Sequence, residues 1–272
     1  MQSDEALRRA QFAITHQAPA EAERLAADIL KADPAHLEAT KIRGYALLML
    51  GRAADAIEPL EKLADARNDP RDETQLAVAL RQIGRREDAV TWLNRATARN
   101  PPFAPAFHEL GFVLSSLQRY GEAIAVLKRG LDVAPTAEIA LHLGYAHNAI
   151  GERTPARKYF TQALAIDPRS LEALHAMGTA LMDERDFAQA AGLFRRALKA
   201  NPADAAARIQ IGVCLLSLGD TDGAYASLRA AAAQGPQFFG KALKVAVSSG
   251  RGRFWLHPSE AAQFFKNEKS GA

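Results

Sequence analysis

The sequence predicts an all-α protein, a right-handed superhelical solenoid of antiparallel helix hairpins, and three markers sharing one period predict it. Proline recurs at Pro34, Pro101, Pro135, Pro168, Pro202 and Pro236, with gaps of 34, 33, 34 and 34 residues after Pro101. The 67 residues from Pro34 to Pro101 make two periods, and Pro70 falls near their midpoint. Small residues keep the same phase at Gly44, Ala77, Gly111, Gly144, Gly178 and Gly212. A second small series follows twelve residues later each time, at Ala56, Ala89, Ala123, Ala156, Ala190 and Ala224. A fixed period of this length is the signature of stacked units, each too small to bury its own apolar face.

Each period divides into two helices. In the sixth, Leu171–Met182 and Asp186–Leu198 carry apolar residues at helical spacing. Gly51, Gly84, Gly151 and Gly219 fall seven residues after the in-phase small residue, where the first helix should end in a left-handed residue. Gln118 and Arg185 replace glycine in the fourth and sixth periods, so those turns are expected to close differently. Thr154-Pro155 reads as an N-cap followed by proline at the first helical position. Glu87, Asp88 and Asp222 sit in first turns, where the helix dipole favours acid. The pairs Asp33-Pro34, Asn100-Pro101, Asp167-Pro168 and Asn201-Pro202 close second helices, since proline cannot continue them.

Composition agrees. The 272 residues are 48% hydrophobic and 24% charged, with both signs interspersed and alanine abundant, as a helix-rich chain requires. The longest apolar runs, such as Ala46–Leu50 and Ile211–Leu216, are too short for a transmembrane segment. Met1–Glu5 has neither a basic n-region nor an apolar h-region, so no retained secretory signal is expected and the cytoplasm is the expected compartment. A lone Cys214 excludes an intrachain disulfide and a multi-cysteine metal site. Residues 237–272 hold six Lys/Arg against two Glu, a net of +4, so the rest of the chain nets −1 of the total +3. No basic stripe is evident in the main body, and no nucleic-acid partner is expected.

With these markers in phase, the pattern resembles the tetratricopeptide repeat family, whose motif runs W-x2-L-G-x2-Y, A-x3-F, then P. The sixth repeat reads Leu174, Met177, Gly178, Leu181, then Ala190, Phe194, Ala197 and Pro202. The fifth reads Ala140, Leu143, Gly144, His147, then Ala156, Phe160, Ala163 and Pro168. The seventh reads Arg208, Ile211, Gly212, Leu215, then Ala224, Leu228, Ala231 and Pro236. The fourth fits with Gly130 for the last alanine, and the third with Ala77 for glycine. The second has about two extra residues before Pro70, and the first matches mainly through Ala10, Ala22 and Pro34. The resemblance spans residues 3–236, about seven repeats, and leaves 237–272 as a capping helix and a basic, aromatic tail. In this pattern the small residue of the first helix lets the second helix approach, the alanines let the next repeat nest against it, and bulky residues fill the gaps between. A large side chain at Gly178 should then overpack the hairpin by roughly 1–3 kcal/mol.

The resemblance implies that the first helices line a concave groove receiving a partner peptide or helix. Carried over residue by residue, the lining is Lys41, Tyr45 and Leu48, then Thr74, Val78 and Arg81, then His108, Phe112 and Ser115. It continues with Leu141, Tyr145 and Asn148, with His175, Thr179 and Met182, and with Ile209, Val213 and Leu216 in the seventh repeat. Tyr45, Phe112 and Tyr145 form an aromatic band of the kind interfaces favour. Packing of these side chains between adjacent first helices is the competing reading. One subgroup of the family clamps a C-terminal carboxylate with Lys and Asn on successive first helices. Here Asn148 is the only lining asparagine and Lys41 lies three repeats away, so that role is not expected.

Catalytic and metal constellations do not emerge. His142 and His147 are five apart, on different faces of one helix, and His108 and His175 lie two repeats apart. Cys214 sits in an apolar run, where cysteine acts as a small buried hydrophobe. No P-loop, dinucleotide glycine pattern or nucleophile elbow occurs, so neither enzyme, cofactor nor metal is expected. At the C-terminus, Gln237–Ser248 has the spacing of a helix that would cap the seventh repeat, and Ser249–Arg253 breaks it. A short proline-started helix should then run from Pro258 through Phe265. Phe254, Trp255, Phe264 and Phe265 either fold back as part of the cap or form a docking tail. The leading expectation is a bacterial-type scaffold for an unidentified protein or peptide partner. The alternatives are a self-assembling homo-oligomer and a regulatory module of an enzyme system.

Overall fold

The computed structural model describes residues 2–248 together with Ser259, Glu260 and Gln263. Among the described residues there is no strand, and fifteen helices follow one another through short turns. They are α1 (Gln2–Thr15), α2 (Pro19–Ala32), α3 (Leu37–Met49), α4 (Ala53–Arg67), α5 (Pro70–Gln82), α6 (Arg86–Thr97), α7 (Ala104–Ser116) and α8 (Tyr120–Val133). Then come α9 (Ala137–Ala149), α10 (Arg153–Ile166), α11 (Leu171–Asp183), α12 (Phe187–Ala200), α13 (Ala205–Leu218), α14 (Thr221–Ala232) and α15 (Pro236–Ser248). The chain divides into two compact units, Met1–Pro135 and Thr136–Ala272.

In the first unit, α1/α2, α3/α4, α5/α6 and α7/α8 are hairpins, and each first helix also packs on the hairpin before it. Its larger core joins Leu47, Leu60, Leu63, Leu76, Leu80, Leu93, Leu110 and Leu114. In the second unit, α9/α10, α11/α12 and α13/α14 repeat the arrangement, and α15 packs on α14 and α13. There Phe194, Ile211, Tyr225 and Leu228 form the core. Phe238, Phe239, Leu243 and Val245 of α15 lie against it, with Ala242 and Ala246 buried.

The in-phase small residues hold the hairpins close. A Cβ added to Gly44 would stand 2.7 Å from Leu60 Cδ2, one on Gly178 2.6 Å from Phe194 Cζ, and one on Gly212 2.7 Å from Leu228 Cγ. Gly111 and Gly144 face Leu127 and Phe160 even more tightly. Real carbon contacts lie near 3.5–4.0 Å, so each glycine gives its place to the bulky residue sixteen positions later. In the third hairpin Ala77 and Leu93 hold the equivalent positions, both fully buried.

Two sequence expectations about turns need correction. Gln118 and Arg185 do not close their turns differently: their φ angles are 60° and 65°, against 71°, 86°, 82° and 89° at Gly51, Gly84, Gly151 and Gly219. The same pair of backbone hydrogen bonds recurs. Gly51 N–H donates to Leu48 and Arg52 N–H to Leu47, and Arg185 N–H donates to Met182 and Asp186 N–H to Leu181. Satisfying two helix-end carbonyls outweighs the left-handed penalty on a side-chain-bearing residue. Thr154-Pro155 does not start α10 either. The helix begins at Arg153 after Glu152, placing Pro155 inside the first turn, where its missing N–H breaks no hydrogen bond. The two extra residues before Pro70 lengthen α4, Asn68 turns left-handed at φ 53°, and Pro70 opens α5 behind the Asp69 N-cap.

Candidate functional site

The sequence-chosen lining positions all lie on first helices, and their surroundings differ. In the first unit, Lys41 Nζ lies 5.9 Å from the Tyr45 ring centroid. The Tyr45 hydroxyl donates to Asp72 Oδ1 at 3.0 Å, crossing from α3 to the first turn of α5. Burial, then the nearby Asp72 charge, raises the Tyr45 phenol well above its ordinary range. Asp72 is 2% exposed. Burial lifts its carboxyl above the usual range, although the Tyr45 hydrogen bond and Arg67, with Nε at 3.6 Å, pull the other way.

One hairpin further, the Arg81 guanidinium lies 5.0 Å from the Phe112 centroid, and its Nε is 3.4 Å from Glu109 Oε2. Phe112 is 38% exposed, so one edge of this cation-stacked ring meets solvent. His108 Nδ1 stands 4.0 Å from Glu109. Leu48 and Tyr45 are half-buried against the core, and Val78 and Ser115 are half-buried. Thr74 is buried, its hydroxyl donating to the Pro70 carbonyl.

In the second unit a tyrosine and a histidine of first helices each meet an acid of the next hairpin. Tyr145 on α9 is 37% exposed and packs edge-on to Phe160 at 5.5 Å. Its phenol is pushed up to about 12 by burial and then by the nearby Glu172 charge. His175 Nε2 lies 2.6 Å from Oδ2 of Asp204, the N-cap of α13. Burial raises the Asp204 carboxyl, but hydrogen bonds from His175 and from the Ala207 N–H outweigh it and hold the group below its ordinary value. Asn148 and Thr179 are exposed, Met182 is half-buried against the core, and Leu141 is buried. In the seventh repeat Ile209 and Leu216 are buried and Val213 half-buried.

Sequence reasoning named the rings and cations but missed the acids that hold them. Asp72, Glu109, Glu172 and Asp204 each stand 27–29 residues after the side chain they engage, on the following first helix or its N-cap. For Asp72, Glu172 and Asp204 an acid at the start of a first helix was the available signal, because the next hairpin brings that turn beside the preceding helix; Glu109 lies in mid-helix and carried no such signal. Glu73, also missed, is fully buried and held by Arg99 Nη2 at 2.6 Å, and Arg99 also reaches Asn68 at 2.9 Å. That network braces the two-residue α4–α5 connection.

His147 is 5% exposed, stacks on Tyr159 at 5.3 Å and engages Glu152 through Nδ1 at 2.6 Å. No group of three or more metal-ligating side chains occurs among the described residues. Cys214 is buried, and desolvation pushes its thiol up to about 11. Phe254, Trp255, Phe264 and Phe265, and most of the short helix expected around them, lie outside the described residues, of which Ser259, Glu260 and Gln263 are helical. No helix among the described residues is long and apolar enough to cross a membrane.

The glycine-to-bulky pairing and the repeated turn agree with comparisons to known proteins. A model described as Tetratricopeptide repeat matches residues 4–73, 109–170 and 175–237, and a second one matches 50–134. The chain belongs to the tetratricopeptide repeat family. It is 29% identical over 121 residues to small glutamine-rich tetratricopeptide repeat-containing protein 2 of Mycosarcoma maydis, covering 44% of this chain and 32% of that protein. It spans about a third of the length of the curated relatives it matches. Among solved structures, the MamA protein aligns with a TM-score of 0.55 at 27% identity, over 61% of this chain and 92% of that one. A tetratricopeptide repeat protein from Parabacteroides merdae aligns with a TM-score of 0.66 at 15% identity, over 98% of this chain and 100% of that one. Tetratricopeptide repeat proteins in general mediate protein–protein interactions and are typically non-enzymatic scaffolds.

Proposed function

We propose that the chain is an interaction scaffold, acting without catalysis or cofactor, that takes a segment of a partner protein along its first helices. One observation carries this reading. First helices α3 and α7 each hold a partly exposed aromatic ring beside a cation, and the Tyr45 hydroxyl and the Arg81 guanidinium each meet an acid of the next hairpin. These are Tyr45 with Lys41 and Asp72, and Phe112 with Arg81 and Glu109. Rings pinned this way lose little side-chain entropy on binding, and cation–π contacts add about 0.5–1 kcal/mol each at exposed sites. The surface therefore offers aromatic anchors for apolar side chains and fixed hydrogen-bonding groups between them, which suits a peptide with alternating chemistry.

The test compares the wild-type chain with a Tyr45→Ala, Phe112→Ala, Tyr145→Ala variant in affinity capture from the native lysate. The variant should lose the proteins that the wild type retains while keeping its helical circular dichroism. Retention of every partner by a folded variant overturns the assignment.

A further inference from the structure

We propose that the second-helix face of the unit 136–272 carries a separate docking site for an acidic, amphipathic protein segment. The site lies between α10 and α12, away from the first-helix side chains described above. Thr161, Leu164 and Ala165 of α10 and Gln189, Gly192, Leu193 and Arg196 of α12 line an open pocket of about 560 Å³, with Met177 and Leu181 of α11 also lining it. That volume is typical of ligand sites, which span ~300–1,000 Å³. Its lining is apolar except for Thr161, Gln189 and Arg196.

Charge decides the occupant. Helix α10 contains Arg153, Arg157 and Lys158 and no acid; α12 contains Arg195, Arg196 and Lys199 and no acid. All six side chains are exposed. Carboxylates of the neighbouring turns are already engaged, Glu184 with one of the six cations. Glu184 accepts from Arg157 at 2.9 Å, Asp186 caps α12 through Gln189, Asp167 accepts the Arg169 N–H, and Glu152 takes His147. Among the described residues, Arg153, Lys158, Arg195 and Lys199 have no carboxylate within 4.0 Å. Arg196 is held by the Pro168 carbonyl at 3.2 Å.

Arg196 lines the apolar pocket, and Arg157, Lys158 and Lys199 lie within one turn of its lining residues Thr161 and Arg196. Along α12, Arg196 and Lys199 are three residues apart, about 4.5 Å at the helical rise. A partner helix with acids one turn apart and a leucine, methionine or phenylalanine beside them matches this spacing. A nucleic acid supplies the charge but no aliphatic side chain for the pocket. The chain's own residues 249–272 supply aromatic side chains, but their Arg251, Arg253, Lys266 and Lys269 outnumber Glu260 and Glu268 and repeat the sign of the face.

The experiment is a fluorescence-anisotropy titration of the full chain with a short helical peptide of glutamate and leucine. A control peptide carries glutamine for leucine, and a single-stranded oligonucleotide and phosphatidylserine vesicles are titrated beside it. Gly192→Phe places a ring at the pocket, starting from a Cβ that meets no atom within 4 Å. Arg196→Glu with Lys199→Glu reverses the rim on exposed positions and keeps the test valid should Gly192→Phe fail to fold. The wild type should bind the leucine peptide, and each variant and the control peptide should weaken binding about ten-fold or more. Tyr45→Ala with Phe112→Ala should leave this binding unchanged, which separates the site from the proposed groove. Four results overturn the proposal: no binding, equal binding of the control peptide, no effect of the folded variants, or tighter binding of the oligonucleotide or vesicles.

Discussion

Replacing Gly178 by alanine is expected to weaken the sixth hairpin, whereas the same replacement at Gly192 should strengthen it. Both glycines lie inside helices, α11 and α12, so both substitutions gain about 0.8–1 kcal/mol of helix propensity. They differ in what the new methyl group meets. At Gly178 it would stand 2.6 Å from Cζ and 2.8 Å from Cε1 of Phe194, a fully buried ring. At Gly192 it meets nothing within 4 Å. Overpacking of a tight core costs about 1–3 kcal/mol, so Gly178→Ala should lie between neutral and about 2 kcal/mol destabilising. The propensity gain is common to both variants, and the difference between them isolates the clash at about 1–3 kcal/mol. Urea unfolding followed by far-ultraviolet circular dichroism reads it. A second step uses the pairing of the third hairpin, where Ala77 meets Leu93. Phe194→Leu should cost less in the Gly178→Ala background than in the wild type, because the smaller residue relieves the contact. Equal stability of Gly178→Ala and Gly192→Ala would show that the close approach does not govern the hairpin.

Other outcomes follow from the same structure. Arg185→Gly and Gln118→Gly should each raise the melting temperature, since a side chain in the left-handed region costs about 1–2 kcal/mol and the extra freedom of glycine in the unfolded chain offsets only part of it; a lowered melting temperature for both would contradict the turn assignment. Cys214 should resist alkylation by iodoacetamide at mildly alkaline pH in the native protein and react once urea unfolds it, because its thiol is buried and pushed up to about 11; rapid native labelling would contradict its burial. The Tyr145 phenol, pushed up to about 12, contributes stability that is fully present below its ordinary value near 10 and is lost as pH rises between them. The stability of the wild type relative to Tyr145→Phe should therefore fall across that window and stay level below it, as read by melting temperature against pH.

Much of the fold is legible in the sequence because close packing constrains residue size at fixed positions. Gly144 and Gly178 must be small where Phe160 and Phe194 are large, and such pairs repeat. Turn chemistry is less legible. Gln118 and Arg185 break the glycine pattern and keep the turn, since a penalty of about 1–2 kcal/mol is small beside two satisfied helix-end carbonyls. Thr154-Pro155 misleads because Glu152 ends one turn and precedes the next helix directly, its carboxylate serving His147 rather than a cap. At the candidate site the rings and cations could be read from their repeat positions. Their acidic partners could not, because contacts such as Tyr45 to Asp72 join different hairpins and depend on side-chain direction. The basic face of α10 and α12 is hidden for a simpler reason. The acids of α9, α11 and the turns dilute it along the chain, and only the division into first and second helices separates the signs.

Binding of a protein segment along the first helices can be read by hydrogen–deuterium exchange on the full chain with and without a captured partner. Exchange should slow in α3, α5 and α7 around Tyr45, Arg81 and Phe112, and the slowing should be lost when Tyr45 and Phe112 are replaced by alanine. A partner that binds tightly and leaves the exchange of every first helix unchanged would contradict it.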